Sequence, residues 1–195
     1  SPEWKRRSLN NPWVGGDTAN FSIGQGYLAV TPLQLANMVS LIVNDGVVYV
    51  PRVLKEVRDQ VTGEVLRETK PEVLFQMSAR SETFELVREA MRQVITDGTA
   101  EVVITTPAVE VAGKTGTGEI GSDEAWHSWF VAYAPYETAN PDERVVVVVM
   151  VDAANEWEWW APKAANIILH GIFTDQDFEA AVQSLRRAPR PIWYM

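Results

Sequence analysis

The run Val145–Val151 constrains the fold more than any other part of the sequence, because its apolar residues follow one another without a break. The run is far shorter than the roughly 20 residues that a membrane-spanning helix needs, and its β-branched side chains favour a strand. Apolar residues on both faces predict a central strand that is covered on both sides. A second strand is predicted at Trp129–Ala134, and the turn around Ala139–Asp142 is too short for a crossover helix. The two strands should therefore pair antiparallel.

Helices are predicted on either side of these strands in the sequence. The segment Thr31-Pro32-Leu33-Gln34 is a capping box that begins a helix, and Asn44-Asp45-Gly46 ends it. Apolar residues at helical spacing predict three more helices, at 82–96, 161–173 and 175–185. A small hairpin with Thr62-Gly63 in its turn is predicted between the first two helices. We therefore expect an α+β fold in which helices pack on the faces of an antiparallel β-sheet.

No linker or repeat divides the sequence, so we expect all 195 residues to belong to one domain. Glycine, asparagine and proline are frequent near the N-terminus, which predicts loop there. In chain order, the predicted parts are a loop-rich N-terminal stretch (1–30), a helical region with a small hairpin (31–107), the core sheet strands (108–152), and C-terminal helices with a tail (161–195).

The charge and the residue inventory exclude several classes of function. The chain has 26 acidic and 17 basic residues, and this excess of negative charge argues against binding to a nucleic-acid backbone. The absence of cysteine excludes disulfides, zinc–thiolate sites and cysteine nucleophiles. His127 and His170 lie far apart without metal-ligand spacing, so we expect no metal site. The first residues are charged but lack the apolar segment of a signal peptide, and we expect neither a membrane anchor nor membrane contact in this chain.

The glycine-rich segment Ala112-Gly113-Lys114-Thr115-Gly116-Thr117-Gly118 is the most informative short string. A strand is predicted at Val109–Lys114, and Gly116, Gly118 and Gly121 break the regular pattern after it. One interpretation is a phosphate-binding loop of a nucleotide-binding enzyme, because Gly113-Lys114-Thr115 matches the end of that motif. The first glycine of the motif would fall at Ala108, however, and the glycines after Lys114 would prevent the helix whose amides bind phosphate. We therefore treat nucleotide binding as a distant alternative.

A second interpretation places Lys114-Thr115-Gly116-Thr117 at the edge of a strand. Lys114 would then bind a carboxylate, and Gly116 would let a substrate approach the backbone closely. The amide of Thr117 would donate a hydrogen bond to a developing oxyanion. A glycine-rich strand end without function is the alternative, and the tetrapeptide alone does not decide between the two.

Several segments in order supply the context for this tetrapeptide. They are Gly16–Tyr27, Thr31–Ala36, Asn44–Gly46, Asp97–Ala100, Ala112–Thr117, His127–Pro135 and Val145–Val151. In their order and spacing, from about Asp17 to Phe173, they resemble the C-terminal part of class B penicillin-binding proteins. These proteins are peptidoglycan transpeptidases, and the likeness is greatest to the elongation-type branch, penicillin-binding protein 2. The resemblance implies part of the penicillin-binding transpeptidase fold, which serine β-lactamases share.

The resemblance also implies roles for the residues that match. Lys114 would supply positive potential, and the hydroxyls of Thr115 and Thr117 would bind the carboxylate of the substrate or of a β-lactam. Gly116 would lie in the same substrate-binding strand, and the amide of Thr117 would form half of the oxyanion hole. The loop Ser22–Gly26 and the Thr99-Ala100 turn would have architectural roles. No cofactor is implied.

The chain departs from the family in one respect, because it contains no Ser-x-x-Lys motif and so lacks the family's nucleophile. The residues three positions before its lysines are Pro2, Arg52, Arg67, Val111 and Trp160. Ser8-Leu9-Asn10 matches the family's second motif literally but lies too close to Gly16-Asp17-Thr18 to serve as it. We therefore expect the C-terminal portion of one transpeptidase domain, inactive alone. The alternative is a non-catalytic structural or interaction module of the same fold.

The resemblance further implies partners and a location for the parent protein. Its full domain would bind peptidoglycan stem peptides and β-lactams at the outer, periplasmic face of the cytoplasmic membrane. The upstream part of the same protein would pack against this chain, and apolar surface left bare would favour self-association. The tryptophans Trp157, Trp159 and Trp160, with Trp126 and Trp129, would form either a ligand platform or packing around the site.

Overall fold

The computed structural model describes residues 1–120, 125–153 and 159–187. In chain order its elements are α1 (Pro2–Leu9), α2 (Gly15–Ser22), α3 (Pro32–Val43), β1 (Val47–Tyr49), β2 (Glu56–Arg58), β3 (Val65–Glu68), β4 (Val73–Gln76), α4 (Ser81–Thr96), β5 (Ala112–Ile120), β6 (Ala125–Ala134), a 3₁₀ turn (Pro141–Glu143), β7 (Val145–Ala153), α5 (Trp160–Thr174) and α6 (Phe178–Arg187). The mixture of helices with antiparallel strands confirms the predicted α+β class. No helix in the described ranges is long and apolar enough to cross a membrane.

The main sheet has three antiparallel strands in the order β5-β6-β7. The predicted antiparallel pairing of the two strongest strands is confirmed, with Ala134 opposite Val145 and Ser128 opposite Val151. The prediction that Val145–Val151 is the central strand is wrong for the described sheet, in which β6 lies in the middle. Helices α5 and α3 both contact β7, however, and this double cover explains why its residues are apolar on both faces.

Each face of the sheet packs against a different helix, because successive side chains of a strand point to opposite sides. Phe130 and Ala132 of β6 pack with Leu169 of α5 in one buried cluster. Tyr133 of β6 packs with Val39 of α3 in a second cluster on the other face. Burial raises the pKa of the Tyr133 phenol to about 12. The sheet is thus the middle layer between α5 and α3.

Helix α4 packs beside β5 and contributes to both clusters. Its Met91 belongs to the cluster on the α3 side, whereas Ile95 belongs to the cluster on the α5 side. Between them, Arg92 donates a hydrogen bond of 2.8 Å from Nη1 to the Val111 carbonyl oxygen. Val111 directly precedes β5, so α4 fixes the position at which that strand begins.

The segment between α4 and β5 is attached to α5 by buried polar side chains. The Asn166 amide oxygen accepts hydrogen bonds of 3.0 Å from the backbone amides of Thr105 and Thr106. The Thr106 hydroxyl lies 2.9 Å from Nδ1 of the buried His170. His170 therefore has a structural partner.

Helices α3 and α5 begin with different capping contacts. The predicted capping box is confirmed, since Thr31 Oγ1 accepts from the Gln34 amide and Gln34 Oε1 accepts from the Thr31 amide. Helix α5 is capped from outside its own segment, because Ser128 Oγ in β6 accepts a 3.0 Å hydrogen bond from the Ala161 amide. This buried hydroxyl connects the middle strand directly to the start of α5.

Two small two-stranded sheets, of which one is a hairpin, occupy the region between α3 and α4. The predicted turn at Thr62-Gly63 is confirmed, with β2 and β3 pairing antiparallel and Gly63 at a φ of 73°. Strand β4, which the sequence analysis missed, pairs antiparallel with β1. Its residues Val73–Gln76 are all exposed, so their pattern differs from the half-buried alternation by which strands are recognised.

The N-terminal stretch corrects a second prediction, because 1–30 is not all loop. Helix α1 begins with Ser1 accepting a hydrogen bond from the Trp4 amide, and Pro2 occupies its first position. In α2, the Asp17 carboxylate accepts from the Val14 amide and binds the ammonium of Lys5 at 2.6 Å. Lys5 is buried, and its ammonium also lies 5.1 Å from the centre of the Tyr27 ring. These contacts favour helix where the glycines of the sequence predict loop.

A third correction concerns β5. The predicted strand Val109–Lys114 begins later, at Ala112, and it continues through the glycines to Ile120. Every residue of β5 has a partner in β6, and this pairing stabilises extended backbone even where side chains contribute little. The predicted helices at 161–173 and 175–185 are confirmed as α5 and α6, while the tail after 187 lies outside the described residues.

Ser128→Ala should lower the free energy of unfolding by about 1–2 kcal/mol, because the buried Ala161 amide loses its acceptor. Urea denaturation followed by circular dichroism measures the difference. Ser22→Ala is the matched control, since the Ser22 hydroxyl is exposed and donates to a carbonyl of its own helix. Equal losses in the two variants would contradict the capping role.

Asp17→Asn should lower the melting temperature at about pH 7, because a buried lysine loses its anionic partner. The Lys5 ammonium, and after it the Val14 amide, lower the pKa of Asp17 by hydrogen bonding to its carboxylate. The ion pair therefore contributes stability above the unfolded-state pKa of about 4 and loses it as the pH falls through the folded-state pKa. The difference in melting temperature between wild type and variant should therefore decrease toward zero in acid.

Thermal melts from neutral pH down to about pH 2 test this dependence. Asp142→Asn, which removes one negative charge from the 3₁₀ turn, controls for the change in net charge. A difference between wild type and Asp17→Asn that stays constant with pH would contradict the ion pair.

Candidate functional site

The predicted site residues Lys114, Thr115, Gly116 and Thr117 lie in the middle of β5, opposite residues 128–131 of β6. Strand β5 is at the edge of the described sheet, so it pairs with another strand on one side only. The strand-edge interpretation of the segment is therefore consistent with the structure. The phosphate-loop alternative is wrong, because Lys114 lies inside a strand that continues to Ile120, where that motif requires the start of a helix.

Three polar side-chain groups meet around Thr115. The Lys114 ammonium donates to the Thr115 carbonyl oxygen at 2.8 Å and lies 3.4 Å from the Thr115 hydroxyl. The hydroxyl of Thr99 lies 3.0 Å from the same Thr115 hydroxyl. Lys114 is exposed and Thr115 half-buried, so an anion can approach an ammonium and hydroxyl donors together.

Thr99 contacts the candidate site, although the sequence analysis did not include it among the candidate site residues. It follows α4, and its neighbour Ala100 is fully buried in the cluster beneath α5. The Thr99-Ala100 segment was expected to be only architectural, yet the Thr99 side chain contacts Thr115. The glycine before Thr99 and the small residue after it mark a turn, but nothing in that local pattern indicates a contact 16 residues away.

The loop Ser22–Gly26 reaches the same strand from the N-terminal side. Gln25 Nε2 donates a hydrogen bond of 3.3 Å to the Thr117 carbonyl oxygen. Gly24 and Gly26 flank Gln25 with φ angles of 80° and 70°, a conformation that other residues rarely adopt. The loop therefore lies in direct contact with the exposed Thr117, and its architectural role stays a prediction.

The surrounding structure requires glycine at position 113 of β5 but not at position 116. A Cβ at Gly113 would lie 2.7 Å from the Val131 carbonyl oxygen and 2.8 Å from Cζ of Phe130, so packing excludes a side chain there. A Cβ at Gly116 would meet only Trp129, at an ordinary 3.4 Å. Neither packing nor a positive φ requires glycine at 116, which is consistent with close approach by a ligand.

Trp126 and Trp129 do not belong to one platform on the sheet. Trp126 and Trp129 lie three positions apart on β6, so their side chains point to opposite faces of the sheet. Trp159 precedes α5 and Trp160 is its first residue, 40% exposed, whereas Trp157 lies outside the described residues. The Trp126 indole nitrogen is buried without a hydrogen-bond partner among the described residues.

Three other features do not involve this strand segment. Ser8 lies in α1 and Asn10 is the residue that ends α1, with a φ of 50°, so the Ser8-Leu9-Asn10 match has a structural explanation. A cavity of about 580 Å³ between α4 and residues 104–111 does not include Lys114 or Thr117 in its lining. Within the described ranges no cluster of three or more metal-ligating side chains occurs.

Comparison with known proteins agrees with this fold. The model of the penicillin binding protein transpeptidase domain matches residues 4–174. Peptidoglycan D,D-transpeptidase MrdA of Haemophilus influenzae is 32% identical over 184 residues, covering 85% of this chain and 27% of that protein. Penicillin-binding protein 2A of Bacillus subtilis is 36% identical over 149 residues, covering 70% of this chain and 20% of that protein. Pseudomonas aeruginosa PBP2, in its crystal structure, is 31% identical in sequence with a TM-score of 0.64. The match covers 86% of this chain and 35% of that one.

These matches confirm the resemblance to the penicillin-binding protein 2 type and the transpeptidase fold. The chain spans about a quarter of the length of the curated relatives it matches.

Gly113→Ala should lower the free energy of unfolding by about 1–3 kcal/mol, because the new methyl group collides with the Val131 backbone and the Phe130 ring. Gly116→Ala should stay within about 1 kcal/mol of the wild type, since its methyl group meets ordinary contact. Parallel urea titrations of the two variants compare the same chemical change at two sites on one strand. Similar losses at both positions would contradict the assignment of Gly113 to packing and Gly116 to ligand access.

Proposed function

This chain belongs to the penicillin-binding protein transpeptidase family, and on that premise we propose that it supplies the Lys-Thr-Gly-Thr strand of a peptidoglycan D,D-transpeptidase site. The observation that supports this most directly is the meeting of the Lys114 ammonium with the hydroxyls of Thr115 and Thr99. These donors lie on an edge strand, where a peptide can lie alongside. The parent protein would cross-link stem peptides and react with β-lactams in the cell envelope, outside the cytoplasmic membrane.

The proposed roles divide between charge and hydrogen bonding. Lys114 supplies positive potential for the terminal carboxylate of a stem peptide or for the carboxylate of a β-lactam. The hydroxyls of Thr115 and Thr117 donate to that carboxylate, and charge-assisted hydrogen bonds of this kind are about twice as strong as neutral ones. Gly116 lets the ligand backbone approach the strand.

The amide of Thr117 donates to the oxygen of the scissile carbonyl when it becomes negative. Donors positioned in advance stabilise the transition state without reorganising, which is why oxyanion holes contribute strongly to acyl transfer. The contact from Gln25 to the Thr117 carbonyl restrains the strand at this residue. The loop Ser22–Gly26 is therefore proposed to position the oxyanion donor.

The nucleophile is proposed to come from upstream. The family forms an acyl-enzyme on the serine of a Ser-x-x-Lys motif, and no serine stands three residues before a lysine here. The serine oxygen would add to the carbon of the scissile carbonyl. The peptide bond to the terminal residue would then break, and that residue would leave as an amine carrying the proton that the serine hydroxyl lost. Without that serine this chain cannot be acylated, so we expect the isolated chain to be inactive.

The upstream part of the parent protein is the proposed partner of the N-terminal helices. Large apolar side chains on and between α1, α2 and α3 are exposed, among them Ile23 at 75% and Leu33 at 56%. Isolated exposed apolar residues are common, but a run of them along three neighbouring helices is typical of a covered surface. In the isolated chain the same surface would favour self-association.

A reporter β-lactam tests the proposed function. The chain alone should show no covalent mass shift, whereas the chain mixed with the upstream segment of its parent should yield an adduct on the upstream segment. Lys114→Gln should slow acylation of the mixture at least about tenfold, equivalent to about 1.4 kcal/mol of transition-state stabilisation. Lys55→Gln is the matched control, because Lys55 is an exposed lysine of the hairpin region.

Two outcomes would contradict these assignments. An adduct on the isolated chain would show that it contains a nucleophile. A mixture that folds together but never reacts would favour the alternative of a non-catalytic module.

A further inference from the structure

The cavity between α4 and residues 104–111 is separate from the Lys-Thr-Gly-Thr strand. Its volume of about 580 Å³ lies within the range of about 300–1,000 Å³ that is typical of small-molecule sites. Arg92, Ile95 and Thr96 line it from the end of α4, where residues three and four positions apart share one face of the helix. Residues 104–111 supply the rest of the lining.

The buried part of this lining is apolar. Ile95 and Ile104 are 7% exposed and Val111 is 1% exposed, and all three belong to the core cluster beneath α5. The half-buried Val109 packs against the same cluster and also lines the cavity. An apolar ligand body placed here would therefore extend the hydrophobic core of the protein.

Arg92 supplies a positive charge that is held in position. Its Nη1 donates a 2.8 Å hydrogen bond to the Val111 carbonyl oxygen, and its guanidinium carbon lies 5.8 Å from the centre of the Tyr136 ring. The guanidinium has five N–H donors, so the bond to Val111 leaves others for an anion. Because the side chain is already ordered, an anion that binds to it has little conformational entropy to overcome.

The acidic partner of Arg92 is one that a ligand can replace. Arg92 Nη2 lies 3.3 Å from Glu110 Oε1, whereas strong charge-assisted hydrogen bonds measure about 2.7–2.9 Å. The Glu110 side chain is 60% exposed, and ion pairs in contact with water contribute little to stability. A ligand carboxylate can therefore take the place of Glu110 on the guanidinium at small cost.

We propose that this cavity binds a hydrophobic carboxylate, with its carboxylate on Arg92 and its apolar body against Ile95, Ile104 and Val111. Such a ligand would contact both α4 and the residue before β5, and so would stabilise the junction between them. The inference does not depend on the proposed function, because the cavity lies outside the strand to which that function is assigned.

The test uses hexanoate and hexanol, which have the same chain and differ in the charge of the head group. Each is titrated into the isotope-labelled chain, and the methyl signals of Ile95 and Ile104, identified with Ile95→Val and Ile104→Val, report occupancy of the cavity. We expect hexanoate to bind about 5- to 10-fold more tightly than hexanol, because a charge-assisted hydrogen bond adds to the same apolar contacts.

Two variants assign the difference to Arg92. Arg92→Gln should bring the ratio of the two affinities to about one, with circular dichroism to check the fold. Glu110→Gln removes the competing carboxylate and leaves the bond from Arg92 to Val111 in place, so hexanoate should bind about 2- to 5-fold more tightly while hexanol is unaffected. Glu82→Gln is the matched control, since it removes the same charge from the first turn of α4 and should change neither affinity.

Three outcomes would overturn this inference. Equal affinities for hexanoate and hexanol would show an apolar cavity without a carboxylate site. Tightening of hexanoate binding by Glu82→Gln as much as by Glu110→Gln would assign the effect to net charge. Titrations that leave the Ile95 and Ile104 signals unchanged would show that the cavity takes neither probe. None of these results bears on acylation by a β-lactam, so the proposed function is tested separately.

Discussion

The unbroken register between β5 and β6 is the constraint on which the rest of the site depends. Every residue from Ala112 to Ile120 has a partner in β6, so the positions of Lys114 and Thr117 are set by residues of another strand. That pairing also keeps a glycine-rich segment extended, although glycine loses more conformational entropy on ordering than any other residue. Strand β6 in turn is fixed by buried packing on both faces, with Phe130 on one side and Tyr133 on the other.

Hydrogen bonds from three separate segments then hold individual positions in and next to β5. Arg92 of α4 fixes the residue before the strand, Thr99 contacts the hydroxyl of Thr115, and Gln25 contacts the carbonyl of Thr117. The segments lie on different parts of the chain, and each one contacts a different position. A site built in this way has a rigid sheet at its base, with the polar contacts supplied by the elements that surround it.

The parts of the fold that local chemistry determines could be predicted from the sequence. The capping box at Thr31 and Gln34, the turn at Gly63 and the amphipathic helix at 82–96 all depend on neighbours within a few residues. The Lys-Thr-Gly-Thr strand was found because its position among other segments resembles a known family. The predictions that failed concern segments whose structure depends on distant partners. The N-terminal helices depend on the ion pair of Lys5 with Asp17, and β5 beyond Lys114 depends on its pairing with β6. The contact between Gln25 and Thr117 joins residues 92 positions apart, and no local pattern indicates it.

Helix α4 has one consequence that reaches beyond packing. Its Met91 and Ile95 lie in opposite cores, and the arginine between them is bonded to the residue before β5. A shift of this helix would therefore displace both cores and the start of β5 together. A substitution in α4 would therefore alter the proposed ligand-binding edge through residues that never touch the ligand at that edge.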